Sequence, residues 1–163
     1  MSSCPSCVDI AEAEAKRYPW AIARLRGGYV WLNPCQYYTG SVFFVARRCV
    51  AELHELPADE RHAHLLEMAE VAAAVQREFG ARKMNYEALG NAVAHVHWWL
   101  TPRPYDDPRP RGPIWEDLDF LRNLWTGAAR PGPDEGLALR RRVLDALAVS
   151  GAAIEAELIG RPA

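Results

Sequence analysis

The sequence predicts an α+β domain, because strand-like segments come first, a long amphipathic helix follows, and further strands and a C-terminal helix complete the chain. Three observations carry that prediction. Gly27-Gly28 separates two β-rich runs, as in a hairpin. Between Asp59 and Phe79 the residues Leu65, Met68, Ala72, Val75 and Phe79 recur at alternating three- and four-residue steps, which lays one apolar stripe along a helix. From Ala94 to Thr101 the strand-forming residues alternate, so His95, His97 and Trp99 fall on one face and Val96, Trp98 and Leu100 on the other.

Taken in order, Val8 to Arg17 is Ala/Glu-rich and reads as a short helix broken by Tyr18-Pro19. Ala21–Arg26 and Tyr29–Leu32 are strands joined by Gly27-Gly28, a pair able to supply the positive φ angles of a tight turn. Asn33-Pro34 ends the second, and Ser41–Ala46 is a third strand, giving an antiparallel meander. After the long helix and Gly80 come strands Met84–Ala88 and Ala94–Thr101, with a turn at Leu89-Gly90-Asn91 and an end at Pro102 and Pro104. Residues 102–114 hold five prolines and read as an extended arm without a core of its own. A last helix is predicted from about Glu135 to Ile159, burying Leu137, Leu144, Leu147, Ile154 and Leu158.

Composition narrows the class. Half of the 163 residues are hydrophobic and a quarter are charged, as in one soluble globular domain, and no internal repeat or domain break interrupts residues 1–163. The formal charge of -2 gives no overall basic field for nucleic acid. No apolar run spans a bilayer and the N-terminus lacks the order of a signal peptide, so a cytoplasmic protein without a membrane partner is expected. In that reducing compartment Cys4-x-x-Cys7 points to metal or thiol chemistry before disulfides.

The informative segment runs from Asn85 through Gly90-Asn91 and His95-Val-His97-Trp98-Trp99 to Pro102-Arg103. Alone, His-x-His reads first as a partly exposed pair of strand histidines, because so short a pattern recurs by chance. In this setting it resembles the signature of the HIT (histidine triad) superfamily of nucleotide hydrolases and transferases. It is most similar to the bacterial diadenosine polyphosphate hydrolase-like group, which also carries Asp-Asp-Pro and Pro-Ile-Trp where this chain has Asp106-Asp107-Pro108 and Pro113-Ile114-Trp115. The likeness covers roughly residues 4 to 120 and includes Gly40, Arg47-Arg48 and Glu52–Leu56.

That resemblance implies an antiparallel sheet of about five strands with the long helix on one face, the C-terminal helix added, and a homodimer formed by paired sheets. It implies that His97 attacks the α-phosphorus of a nucleotide, forming a nucleotidyl-histidine resolved by water or another acceptor. Asn91 and nearby amides would hold phosphate oxygens, with Ser41, Trp99 and Arg103 also at the substrate. Two positions depart from the family. Trp99 replaces the third histidine, and Ser41 stands where many members carry another. Indole donates one hydrogen bond but cannot act as a general acid. Trp99 therefore leaves two other readings open, a non-catalytic nucleotide-binding or scaffold protein and a fold repurposed for a non-nucleotide substrate.

Zinc-bearing HIT branches combine an N-terminal Cys-x-x-Cys with the first triad histidine and a residue after strand three. Carried over, these are Cys4, Cys7, His95 and Cys49, a closed Cys3His set suited to structural zinc. The plainer alternative makes Cys49 a small hydrophobe and Cys4 and Cys7 terminal thiols. Cys35 is read as a packed thiol. His54, His62 and His64 are read as solvent-facing or helix-start histidines. Arg103, Arg109 and Arg111 either face phosphate or pair with Asp106 and Asp107.

Overall fold

The computed structural model describes residues 4–160. Its elements are α1 (Pro5–Glu14), β1 (Ala21–Leu25), β2 (Gly28–Leu32), β3 (Val42–Ala46), α2 (Ala58–Glu78), β4 (Lys83–Glu87), β5 (His97–Arg103), α3 (Leu118–Thr126), α4 (Pro133–Val149) and β6 (Ile154–Glu157). The strands form one six-stranded sheet in the order β4-β5-β3-β2-β1-β6, and every pairing is antiparallel. The meander, the long helix and the α+β class match the sequence reading, with six strands where about five were expected.

The sheet buries both faces. On one, Ile22, Val30, Leu32, Val42, Phe44 and Leu100 meet Val71 and Val75 of α2 and Leu139, Val143 and Leu147 of α4. Complete burial of such a side chain contributes about 1.5–3 kcal/mol, so this layer is the main source of cohesion. On the other, Ala13 of α1 packs with Tyr29, Trp31 and Val45. Strand alternation therefore sends β5 residues to two environments: Trp98 and Leu100 toward the helices, His97 and Trp99 toward the α1 side.

Four expectations change. Neither Gly27 nor Gly28 has a positive φ. They are glycine because space demands it: a Cβ on Gly27 would lie 2.6 Å from the backbone nitrogen of His64, and one on Gly28 2.6 Å from the carbonyl oxygen of Val45. The turn is pressed onto α2, and Glu67 accepts a hydrogen bond from the Gly27 amide at 2.6 Å. Secondly, β5 begins at His97 and runs through Pro102 instead of ending there. Its partner β3 reaches only as far as Leu100, and β4 alone pairs beyond that point, leaving one side of the strand free to take a proline.

Thirdly, the last helix ends at Val149. Gly151, at φ 78°, follows it, and Ile154–Glu157 turns back as β6 beside β1. Ile154 and Leu158 fit helical spacing, yet Ile-Glu-Ala-Glu also alternates, and the free edge of β1 takes it as a strand. Fourthly, the proline-rich arm does have a core. Ile114 is buried with Cys35, Tyr38 and Phe120, the last from α3, a helix absent from the sequence reading and capped by the Asp117 carboxylate.

Candidate active site and metal centre

His97 stands half-buried at the start of β5, its ring edge-on to Phe43 of β3. Its Nδ1 lies 2.7 Å from the carbonyl oxygen of His95. A carbonyl only accepts, so Nδ1 carries the proton and Nε2 keeps its lone pair. The ring lines a cavity of about 370 Å³ between α1, the sheet and the 89–93 loop. Asn91 lines it too, and Gly90, at φ 67°, lets the loop turn back toward β5. The remaining walls are largely aromatic: Tyr18, Trp31, Phe43, Trp99 and Trp115. No Lys or Arg is among the lining residues, and Asp9 is their one carboxyl, raised above the ordinary carboxylate range by burial.

Trp99 occupies the third position as part of a wall. It sits edge-on to Phe43 at 4.9 Å and tilted against Trp115 at 5.5 Å. Trp115 in turn donates its indole N–H to Glu87 at 2.9 Å, and Glu87 lies opposite Trp99 in the β4–β5 register. Burial pushes the Glu87 carboxyl above its usual range.

Ser41 and Arg103 are elsewhere engaged, which corrects their expected place at the substrate. Ser41 is buried and donates to the carbonyl oxygen of Tyr38 at 2.6 Å, as part of a tight loop whose amide and carbonyl groups Gln36 also satisfies. Arg103 is 3% exposed. Its guanidinium donates to Asp107, Asn85 and the carbonyls of Gly112 and Arg109, and stacks on Tyr38. Every nitrogen of the fork is committed to holding the arm, which resolves the choice between phosphate and carboxylate partners in favour of Asp107.

His95 departs from the shared face predicted for it. It precedes the strand, is fully buried, and turns its ring toward the N-terminus of α1. There Cys4, Cys7, Cys49 and His95 bring one ligand atom each within 4.8 Å of all the others. His95 Nδ1 is 3.4 Å from Cys4 Sγ and 3.8 Å from Cys7 Sγ. A tetrahedral ion with ordinary zinc–sulfur and zinc–nitrogen bonds spaces its ligand atoms by roughly 3.5–3.8 Å. The opposite nitrogen, Nε2, donates to the carbonyl oxygen of Ala46 at 2.8 Å, so the lone pair sits on Nδ1, on the thiol side. Burial lowers the His95 pKa and keeps the imidazole neutral, the form that ligates. The donor set, spacing and tautomer all suit a closed four-ligand metal site.

The sequence reading missed three participants. Asp9, Tyr18 and Trp115 line the cavity; nothing in the local pattern marks Asp9 or Tyr18 as site residues, and Trp115 was marked only as part of the Pro113-Ile114-Trp115 likeness, with no role attached. His64, read as exposed, is fully buried: its Nδ1 donates to the Gly27 carbonyl oxygen at 2.8 Å, its Nε2 accepts from the Trp98 indole at 3.0 Å, and its ring stacks on Phe44. The signal was its place on α2 opposite the glycine turn, visible only once the turn's location is known. His54 and His62 are exposed as expected.

Comparisons with known proteins agree with this architecture. The HIT domain family model matches residues 37–105. A histidine triad protein from Sinorhizobium meliloti superposes with a TM-score of 0.64 at 27% identity, covering 78% of this chain and 90% of its own. A Zn-bound histidine triad family protein from Mycobacterium smegmatis gives a TM-score of 0.63 at 18% identity, with 90% of this chain and 94% of that one covered. A hypothetical histidine triad nucleotide-binding protein from Sulfolobus tokodaii gives 0.65 at 9% identity, covering 88% and 93%. No curated protein matches the chain. Among the described residues no helix is long and apolar enough to cross a membrane. The HIT domain model thus matches residues 37–105, and the fold is similar to that of the histidine triad proteins.

Proposed function

We propose that this protein is a nucleotide-processing enzyme, a phosphoric-anhydride hydrolase or nucleotidyltransferase of the diadenosine polyphosphate hydrolase-like kind, with His97 as nucleophile. The observation that carries the reading is the 2.7 Å contact from His97 Nδ1 to the His95 carbonyl oxygen, which puts the proton of the neutral ring on Nδ1 and the lone pair on Nε2 of a ring that lines the cavity. Nε2 attacks the α-phosphorus, and the leaving oxygen departs with the electron pair of the broken P–O bond. Water or another acceptor then displaces His97 and restores it. Asn91 and the amides of its loop supply donors for the phosphate oxygens, and the aromatic walls suit a base.

Cys4, Cys7, Cys49 and His95 would hold a structural zinc ion, which contributes cross-linking and no chemistry to the substrate. By fixing His95 it fixes the carbonyl that orients His97. We place the enzyme in the cytoplasm as a homodimer joined through the free edge of β4, the outermost strand on that side of the sheet.

Intact-protein mass spectrometry after incubation with dinucleoside polyphosphates, nucleotide sugars and phosphoramidates tests the mechanism. A nucleotidyl mass increment on the wild type that His97→Ala lacks is the expected result, and equal turnover by both proteins removes His97 from the reaction. The absence of Lys and Arg from the cavity wall favours one rival, a pocket repurposed for an uncharged aromatic ligand. That rival predicts nucleoside binding in the same experiment with no increment from any phosphate compound.

A further inference from the structure

A second cavity, about 620 Å³, opens where the N-terminus of α4 meets the 16–20 loop, with Tyr18 standing between it and the His97 cavity. Arg140 lines it although only 6% of the residue is exposed. Its Nε donates to the carbonyl oxygen of Gly136 at 3.3 Å. Among the described residues its two terminal nitrogens have no hydrogen-bond partner, and no carboxylate pairs with it. A guanidinium stays charged inside proteins, and the two idle nitrogens of this otherwise buried side chain are reached from the cleft that Arg140 lines.

The surroundings add positive charge and no negative charge. Lys16, Arg17 and Arg130 line the same cleft, and no Asp or Glu does. Arg17 is neutralised by Glu12, whereas Arg130 lies over the Trp20 ring at 5.0 Å. The 17-residue helix α4 points its N-terminus here, with no side-chain cap at Gly132. Gly136 leaves room as well. A Cβ there would make only ordinary contacts, at 3.8 Å from Pro131 and Trp20, so packing does not explain a helix-weakening glycine at a position where a side chain would narrow the cleft.

We propose that this cleft is an oxyanion site distinct from the His97 cavity, in which the Arg140 fork, supported by Arg130, Lys16 and the start of α4, binds the phosphate or carboxylate group of a small molecule. The apolar part of that molecule rests on Pro19, Pro131 and Pro133.

Isothermal titration of the full chain with phenyl phosphate, benzoate and inorganic phosphate tests it, and the relative affinities of the first two distinguish a phosphate from a carboxylate ligand. Saturable one-to-one binding by at least one probe is expected, unchanged in His97→Ala. Arg140→Met, which keeps the methylene packing, weakens it about tenfold or more, the size of a lost charge-assisted interaction. Without ligand that variant melts no lower than the wild type, because among the described residues the Arg140 fork makes a single long hydrogen bond and Met keeps its apolar packing. Arg130→Ala, an exposed change that cannot unfold the chain by cavity formation, also weakens binding. The proposal is overturned by absence of binding at millimolar probe, by loss of binding in His97→Ala, by unchanged affinity in Arg140→Met and Arg130→Ala, or by a lowered melting temperature of ligand-free Arg140→Met.

Discussion

At Trp99 the packing and the chemistry point to different experiments. The ring is part of an aromatic wall with Phe43 and Trp115, and it has no proton to give a departing oxygen. An enzyme working through His97 therefore favours leaving groups that need no protonation, such as pyrophosphate or a nucleoside polyphosphate. Trp99→His is expected to raise kcat/KM on phosphoramidates and alkyl esters by roughly 10²-fold, the low end of a general-acid contribution, while changing good leaving groups little. A uniform loss across both substrate classes would show that Trp99 serves binding alone. Residue identity made the missing acid legible from sequence. The fate of Ser41 and Arg103 was not legible, because it depends on the neighbours of each side chain: a Tyr38 carbonyl for one, and Asp107, Asn85 and the arm's carbonyls for the other.

Among the elements, periodicity located α2, and β-rich runs bounded by turn residues located the three meander strands, to within a few residues. Periodicity failed for β6 because a four-residue Ile-Glu-Ala-Glu run satisfies both periods, and only the open edge of β1 decides. It was not applied to α3, where Phe120, Leu121 and Leu124 share one face at helical spacing and pack on the core of the arm, while Leu118 and Trp125 stay exposed. The hairpin turn was right in place and wrong in cause, and the cause has a measurable outcome. Gly27→Ala puts a methyl group into the backbone of α2 and is expected to lower stability in urea by about 1–3 kcal/mol, the range of overpacking, with the dihedral angles themselves imposing no cost. A neutral result would mean that α2 withdraws freely from the turn.

Across the whole molecule, the candidate metal centre is a long-range constraint, joining the start of α1, the segment after β3 and the segment before β5 through residues as far apart as Cys4 and His95. Such closure of a long loop by a tightly held ion is a large share of the stability of a small domain. Protein purified without added metal is expected to carry about one zinc per chain, and Cys49→Ser to lose both metal and melting temperature. Wild type that is free of metal and melts unchanged after chelation removes zinc from the account. Cys4 and Cys7 were legible from their Cys-x-x-Cys spacing, whereas Cys49 and His95 were legible as their partners only through family resemblance, since nothing near Cys49 in the sequence marks it as a partner of Cys4.

The chain of contacts from the Gly27 carbonyl through His64 to the Trp98 indole joins the hairpin turn, α2 and β5 in one buried line, directly behind the strand that carries His97. Burial lowers the His64 pKa from its ordinary 6.5, so the imidazole is neutral at pH 7 and its Nε2 is free to accept. Because the folded value is the depressed one, this contribution is intact above about pH 6.5 and is lost as pH falls through the lower folded value, where a proton on Nε2 displaces the indole. The Trp98 side-chain proton thereby becomes an internal spectroscopic gauge. In a proton NMR spectrum it is expected as a downfield indole signal that exchanges slowly with deuterium at neutral pH, is absent from Trp98→Phe, and broadens on acidification before the global fold is lost. A signal that exchanges as fast as that of exposed Trp125 would show that the line behind β5 is open to water.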